Sequence, residues 1–201
     1  VSPYGQSSTQ LDATYEQLNA ALGFKTSPVT GLWFNIYGGY QDLKNNLASA
    51  AIANYSGSYL QLLQGNMHNI YAGAEASYSY KDIISFTASG IYRDWKTAKT
   101  ENNSGDQLLY YMPSFEANFK VDIRPVSSVL INLGYQHITR EKIGNERVDP
   151  VGNLYLGGSY EVFEGISIYV RANNLLNKDY QYYPGYPTEG INFMGGVSFR
   201  F

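Results

Sequence analysis

Apolar and polar residues alternate with a period of two along most of the chain, over segments 15–26, 31–40, 69–80, 83–95, 109–124, 128–140, 151–162, 166–176 and 191–201. That period belongs to β-strands, whose successive side chains point to opposite faces. In 109–124 one face carries Leu109, Tyr111, Phe115, Ala117, Phe119, Val121 and Ile123, and the other carries Tyr110, Met112, Ser114, Glu116, Asn118, Lys120 and Asp122. In 166–176, Ile166, Ile168, Val170 and Ala172 stand against Ser167, Tyr169, Arg171 and Asn173. In 191–201, Ile191, Phe193, Val197, Phe199 and Phe201 stand against Asn192, Ser198 and Arg200. At ~3.3 Å per residue and a tilt of ~45°, segments of this length cover a ~25 Å apolar band. Strands of soluble proteins average only ~5–6 residues. A soluble β-sandwich built from these segments would leave a large apolar face in need of a partner sheet. The expectation is therefore an all-β fold, an antiparallel transmembrane β-barrel with about nine to ten strands present.

Charge placement supports the membrane reading. With each apolar parity turned to lipid, Lys25, Glu75, Arg93, Glu116, Lys120, Asp122, Arg124, Arg140, Glu161, Arg171 and Arg200 all point to the lumen. Glu16 and Asp94 fall on the lipid parity, both at segment ends. A lipid-facing Lys or Arg costs ~2–4 kcal/mol at the bilayer midplane and almost nothing at the interface, so this distribution is the expected one. The connections alternate as well: 26–30, 81–82, 124–127 and 163–165 are short, whereas 41–68, 96–108, 141–150 and 177–190 are long. A periplasmic C-terminus puts every short turn in the periplasm and every long loop outside, as in outer-membrane proteins. Within 41–68, residues 47–53 read as a short helix. Pro113 is expected near the outer rim, where a lost donor matters less.

Composition narrows the class further. Among 201 residues there are 20 Tyr, aromatic residues make up 15%, and charged residues make up only 15%, against ~25% in typical globular domains. The mean hydropathy of -0.31 is polar, and no run of 18 apolar residues exists, so membrane-spanning helices are not expected. The absence of cysteine excludes disulfides and thiolate metal sites. A net charge of -3 with no basic run argues against nucleic acid as a partner. Bacterial single-chain barrels carry an even number of strands. Nine alternating segments thus imply at least one further strand upstream, unless residues 1–10, which alternate little and contain Pro3, supply it; the expectation is one unit, residues 1–201, forming the C-terminal portion of a larger barrel with no plug domain.

Asn174-Leu175-Leu176-Asn177-Lys178-Asp179-Tyr180-Gln181 resembles the "NLFDKxY" stretch near the end of TonB-dependent receptors. Gly185-Tyr186-Pro187 followed by Gly190-Ile191-Asn192-Phe193 is similar to that family's "GYPxPGRxF" run, and Gly195-Gly196-Val197-Ser198-Phe199-Arg200-Phe201 is similar to its closing "LGLSYRF" strand. The resemblance is concentrated in 166–201; upstream, only 15–40 looks like a barrel hairpin of the family. It implies the bacterial outer membrane as location and import of a scarce nutrient (siderophore, vitamin, glycan or peptide) as function. The implied partners are membrane lipid, the rest of the receptor and its plug, and through them TonB. Family members have an N-terminal plug and about 22 strands, neither of which is visible here. Phe193, Val197, Phe199 and Phe201 form the kind of terminal signal that the barrel-assembly machinery reads. The alternative is a small complete barrel of about ten strands with a structural or binding role.

Candidate chemistry is sparse. Tyr180, Tyr182, Tyr183 and Tyr186 crowd one loop and offer stacking faces and hydroxyls to a ligand, or simply belong to the interfacial aromatic girdle. The lumenal charges Glu75, Arg93, Glu116, Lys120, Asp122, Glu161, Arg171 and Arg200 suit either a substrate path or plain solvation with cross-strand pairing. Glu101, Asp106, Glu141, Glu146 and Asp149 lack the spacing of a calcium loop. His68 sits in a long loop and His137 on the lipid parity, with no nucleophile or metal-ligand spacing beside either. No enzyme, metal or cofactor is expected.

Overall fold

The computed structural model describes residues 11–54, 57–97, 109, 112–141, 148–183 and 186–200, excluding the side chains of 48–54, 57–63 and 183. Its strands are β1 (Tyr15–Val29), β2 (Leu32–Asn54), β3 (Gly57–Tyr80), β4 (Ile84–Thr97), β5 (Pro113–Val126), β6 (Val129–Arg140), β7 (Val151–Phe163), β8 (Ile166–Asn173), β9 (Gln181–Tyr183), β10 (Tyr186–Pro187) and β11 (Asn192–Phe199). Nine of them form one antiparallel sheet in the order β1-β2-β3-β4-β5-β6-β7-β8-β11, while β9 and β10 form a separate small hairpin. Every alternating segment of the sequence thus contributes one strand to a single meander. The short connections are tight. Gly31 and Gly165 adopt φ of 83° and 80°, and backbone carbonyls of Ser79 and Arg200 occupy the space a side chain would need. Lys81 and Asp82 both take positive φ, 47° and 56°, the conformation that reverses a hairpin with the twist of its strands.

The register sorts side chains onto two faces. One row across the sheet reads Phe34, Ala76, Ala88, Phe119, Tyr135, Leu154; the row beside it reads Asn35, Glu75, Ser89, Asn118, Gln136, Asn153. The apolar face is open rather than buried: Leu22 is 84% exposed and Phe193 74%, and Phe119, Val170 and Phe199 are exposed beside them. Among the described residues only Met67, Trp95, Ala117, Val151 and Tyr180 are buried hydrophobics. A soluble protein does not present an apolar surface of that extent to water. A face of this kind suits lipid.

Three expectations are corrected. Residues 41–68 are not a loop with a helix at 47–53. β2 and β3 pair continuously up to Asn54 opposite Gly57, interrupted by one bulge between Leu43 and Asn46. The Ala-rich stretch favours a helix locally, but a hairpin already nucleated below it extends by adding ladder hydrogen bonds. Glu16 does not face lipid, because a register shift between Glu16 and Leu18 sets it opposite Leu43 on the polar face. There its carboxylate accepts a 2.6 Å hydrogen bond from Gln41. The segment expected to begin at residue 109 begins at Pro113, a position at a strand start where no ladder donor is lost.

Candidate functional site

The polar face is closely fitted. Its glycines accept tyrosine rings from neighbouring strands: Tyr37 lies over Gly73, Tyr71 over Gly39, Tyr155 over Gly134 and Tyr169 over Gly196. A methyl group at Gly73 would fall 2.5 Å from the Tyr37 ring. Arg171 stacks on the Tyr155 ring at 4.1 Å and donates from Nε to Asn173 Oδ1 at 2.8 Å. These Tyr–Gly pairs escaped the sequence reading, although each pairs a glycine and a tyrosine of polar parity on adjacent strands.

The charges expected on this face do share it, but they form no single cluster. Arg93 pairs with Glu116, and Lys120 pairs with Asp122 two residues along β5 at 2.8 Å. Glu75 stands opposite Asn35 and Ser89. Glu161 is used locally, accepting the Gly165 N–H at 3.2 Å. Arg200 follows β11 and donates its N–H to Gly165 O at 2.7 Å. Phe193, Val197 and Phe199 stand together on the apolar face of β11, and Phe201 lies outside the described residues.

At the end of the sheet bearing the long connections, the described residues of two connections lie against the polar face. Met67 and Trp95 are buried there, with Leu43, Leu109 and Met112 packed against them. The Trp95 indole donates to Pro113 O at 2.9 Å, and Glu141 N–H donates to Met112 O at 3.0 Å. Burial pushes the Glu141 carboxyl above its usual range, Asp94 adds to the shift and Lys96 opposes it.

The second segment runs from Asn174 to Ile191. Asn174 is buried with φ of 51°, and its amide donates to Lys178 O (2.9 Å) and Glu189 O (3.0 Å) while accepting from Lys178 N (3.1 Å). Asn177, also at positive φ, accepts from Ile191 N at 3.2 Å. The two asparagines of the Asn-Leu-Leu-Asn run therefore tie both ends of this loop together. Arg140 on β6 donates to Gln181 O (3.0 Å) and Tyr182 O (2.9 Å), and the Tyr182 hydroxyl donates to Gln136 Oε1 at 2.7 Å. Tyr180 is 4% exposed, packs edge-on against Tyr182 at 5.5 Å, and has its phenol pushed up to about 12 by burial and by Tyr182. Tyr180 and Tyr182 are thus committed to the loop itself. Tyr186 is 76% exposed, and the side chain of Tyr183 lies outside the described residues.

The remaining candidates are not brought together. His68 lies against Tyr40, and His137 lies between Phe115 and Tyr135 on the apolar face with Thr139 Oγ1 at 3.0 Å. Among the described residues no three metal-ligating side chains cluster. Residues 98–108, which hold Glu101 and Asp106, and Glu146 lie outside them.

No protein-family model matches the chain, and no curated protein matches it in sequence. Solved structures match its fold. The copper transporter OprC superposes with a TM-score of 0.70 at 18% identity, over 91% of this chain and 31% of its own. The ferric-catecholate import receptor Fiu from K12 E. coli gives 0.64 at 14% identity, over 91% of this chain and 27% of its own. The outer-membrane expressed OmpT of Vibrio cholerae gives 0.59 at 12%, over 90% of this chain and 55% of its own. The chain spans less than a third of the length of OprC and Fiu. At these identities the likeness establishes the fold alone, an antiparallel sheet like the β-barrel wall of these proteins.

Proposed function

We propose that this chain supplies barrel wall and extracellular loops to a TonB-dependent receptor that imports a scarce nutrient across the outer membrane. The observation carrying this reading is the loop 174–191, tied at both ends by Asn174 and Asn177 and docked by Arg140 and Gln136 onto the rim of the polar face. Such a loop narrows the mouth of a lumen at a fixed place and holds Tyr186 outward as a ready stacking and hydrogen-bonding contact. The polar face then lines the lumen, where the Arg93–Glu116 and Lys120–Asp122 pairs, Glu75, Arg171 and the tyrosines contact a plug and the passing solute. A transporter-type role needs no catalytic group. Strand direction supports a larger barrel: β1 and β11 both run from the long-loop end to the short-turn end. Joining them directly would make a parallel pair, whereas an odd number of further strands closes the barrel with antiparallel pairs throughout.

The test is uptake by the full-length protein in an outer-membrane expression host with and without TonB. A panel of a ferric siderophore, a cobalamin, a copper salt, an oligosaccharide and an oligopeptide serves as probe. One of them is expected to accumulate only when both proteins are present, and Tyr186→Ala is expected to weaken its binding about tenfold. Equal accumulation of that probe without TonB would contradict the reading.

A further inference from the structure

The apolar face is not uniform. Across β2 to β5 it dips into a groove of about 300 Å³, floored by Ala76 and Ala88 and walled by Leu32, Tyr78, Phe86 and Phe119. A second groove of about 260 Å³ lies across β6 to β8, around Gly158, between Ile131, Tyr160 and Ile168. Both sit toward the short-turn end of the strands, since Leu32 and Val129 open β2 and β6 while Tyr78 and Tyr160 lie near the ends of β3 and β7. The turns beneath them differ in charge: the first carries a cation beside an acid, the second an acid alone. Below the first is Lys81, whose ammonium lies 5.2 Å from the centroid of the Tyr80 ring, on the apolar side of the sheet. Lys81 is exposed and in no ion pair among the described residues. Below the second is Glu164. Asp82 shares the turn with Lys81, Arg124 on the polar parity donates its N–H to Ile83 O beside that turn, and the ammonium of Lys120, which also borders the first groove, is held by Asp122 on the polar face.

We infer that the first groove is a binding seat for one phospholipid of the periplasmic leaflet, with an acyl chain in the groove and the phosphate on Lys81. This rests on the orientation in which the short turns face the periplasm. The chemistry fits on three counts. The groove lining is almost entirely carbon, suiting an acyl chain and nothing polar. From Tyr78 to Tyr80, where β3 ends, is two residues, about 7 Å along the strand, and the Lys81 ammonium lies beside the Tyr80 ring, which places the cation at headgroup depth when the chain lies in the groove. Tyr80 supplies the amphipathic ring that settles at that interface. The second groove offers the same apolar surface above an acid, so it selects no anionic headgroup.

Electron-spin-resonance titration tests this on full-length protein in phosphatidylcholine bilayers, with spin-labelled phosphatidylglycerol and spin-labelled phosphatidylcholine as probes. The wild type is expected to immobilise phosphatidylglycerol preferentially. Lys81→Glu should lower that preference about fivefold, and Asp82→Asn should raise it. Ala88→Trp, which fills the groove, should remove the seat for both lipids, while Gly158→Trp in the second groove should leave the preference unchanged. Inorganic phosphate should not displace the label; displacement would show a phosphate site without an acyl seat and overturn the inference. Unchanged preference in both Lys81→Glu and Ala88→Trp, with both inserted in bilayers as the wild type is, would also overturn it while leaving the barrel intact. Failure of the wild type itself to enter bilayers would overturn the barrel topology and this inference together.

Discussion

Asn174 closes a loop with one side-chain amide, and this shows how much a single buried polar residue can organise. Its carboxamide satisfies a donor at Lys178 and acceptors at Lys178 and Glu189, at opposite ends of a 174–191 loop. Asn174→Ala leaves those three backbone groups without that partner and should cost about 3 kcal/mol of loop docking, at roughly 1 kcal/mol for each bond lost. Asn174→Gly separates the causes, because glycine tolerates the positive φ but cannot make the bonds. Hydrogen exchange across 178–189 checks this: both variants should lose protection, and a protected Asn174→Gly loop would mean that conformation rather than bonding holds it. In the sequence the Asn-Leu-Leu-Asn run was legible as a family likeness, but not as a staple, because its partners are backbone N–H and carbonyl groups that only the folded loop brings near. The four loop tyrosines were equally legible as a group and equally undivided. Only the packing separates buried Tyr180 from exposed Tyr186.

The strands were the most legible elements, since alternation survives wherever one face meets lipid and the other meets water. It fades where that contrast ends. Beyond Leu43 and Met67 the β2–β3 hairpin rises past the rim, and its residues 47–53 have no reason to alternate. The bulge that turns Glu16 to the polar face is invisible for the same reason: a register shift is a relation between two strands. Close fitting between strands is tested at Gly39, where an added methyl would lie 2.5 Å from the Ala20 carbonyl oxygen and 2.6 Å from the Tyr71 ring. Gly39→Ala should destabilise the barrel by about 1–3 kcal/mol through overpacking. Gly90→Ala, where nothing lies nearer than 3.7 Å, should be close to neutral. The midpoint of urea unfolding in bilayers distinguishes them; equal midpoints would mean that the tyrosine rings yield freely.

At the scale of the whole molecule the chain inverts a soluble protein, with its large apolar side chains exposed on one face and its mid-strand charges on the opposite one. That inversion was readable from charge parity alone, because placing a charge in lipid costs more than almost any local preference can offset. How Leu109, Met112 and the 174–191 loop dock on the polar face was not readable, since Trp95, Met67 and Arg140 act through residues distant in sequence. The central claim is the orientation of this wall: polar face to the lumen, apolar face to lipid, long loops outside and short turns in the periplasm. Because these 201 residues contain no cysteine, a single substitution to cysteine is the only thiol among them, and the unsubstituted full-length protein supplies the background. The measurement is labelling by a water-soluble, membrane-impermeant maleimide in cells expressing the full-length protein. Tyr186→Cys should label in intact cells and Ser128→Cys only after the outer membrane is permeabilised; in permeabilised cells Asn118→Cys should label and its neighbour Phe119→Cys should not. Labelling of Ser128→Cys in intact cells, or equal labelling of positions 118 and 119, would contradict the account.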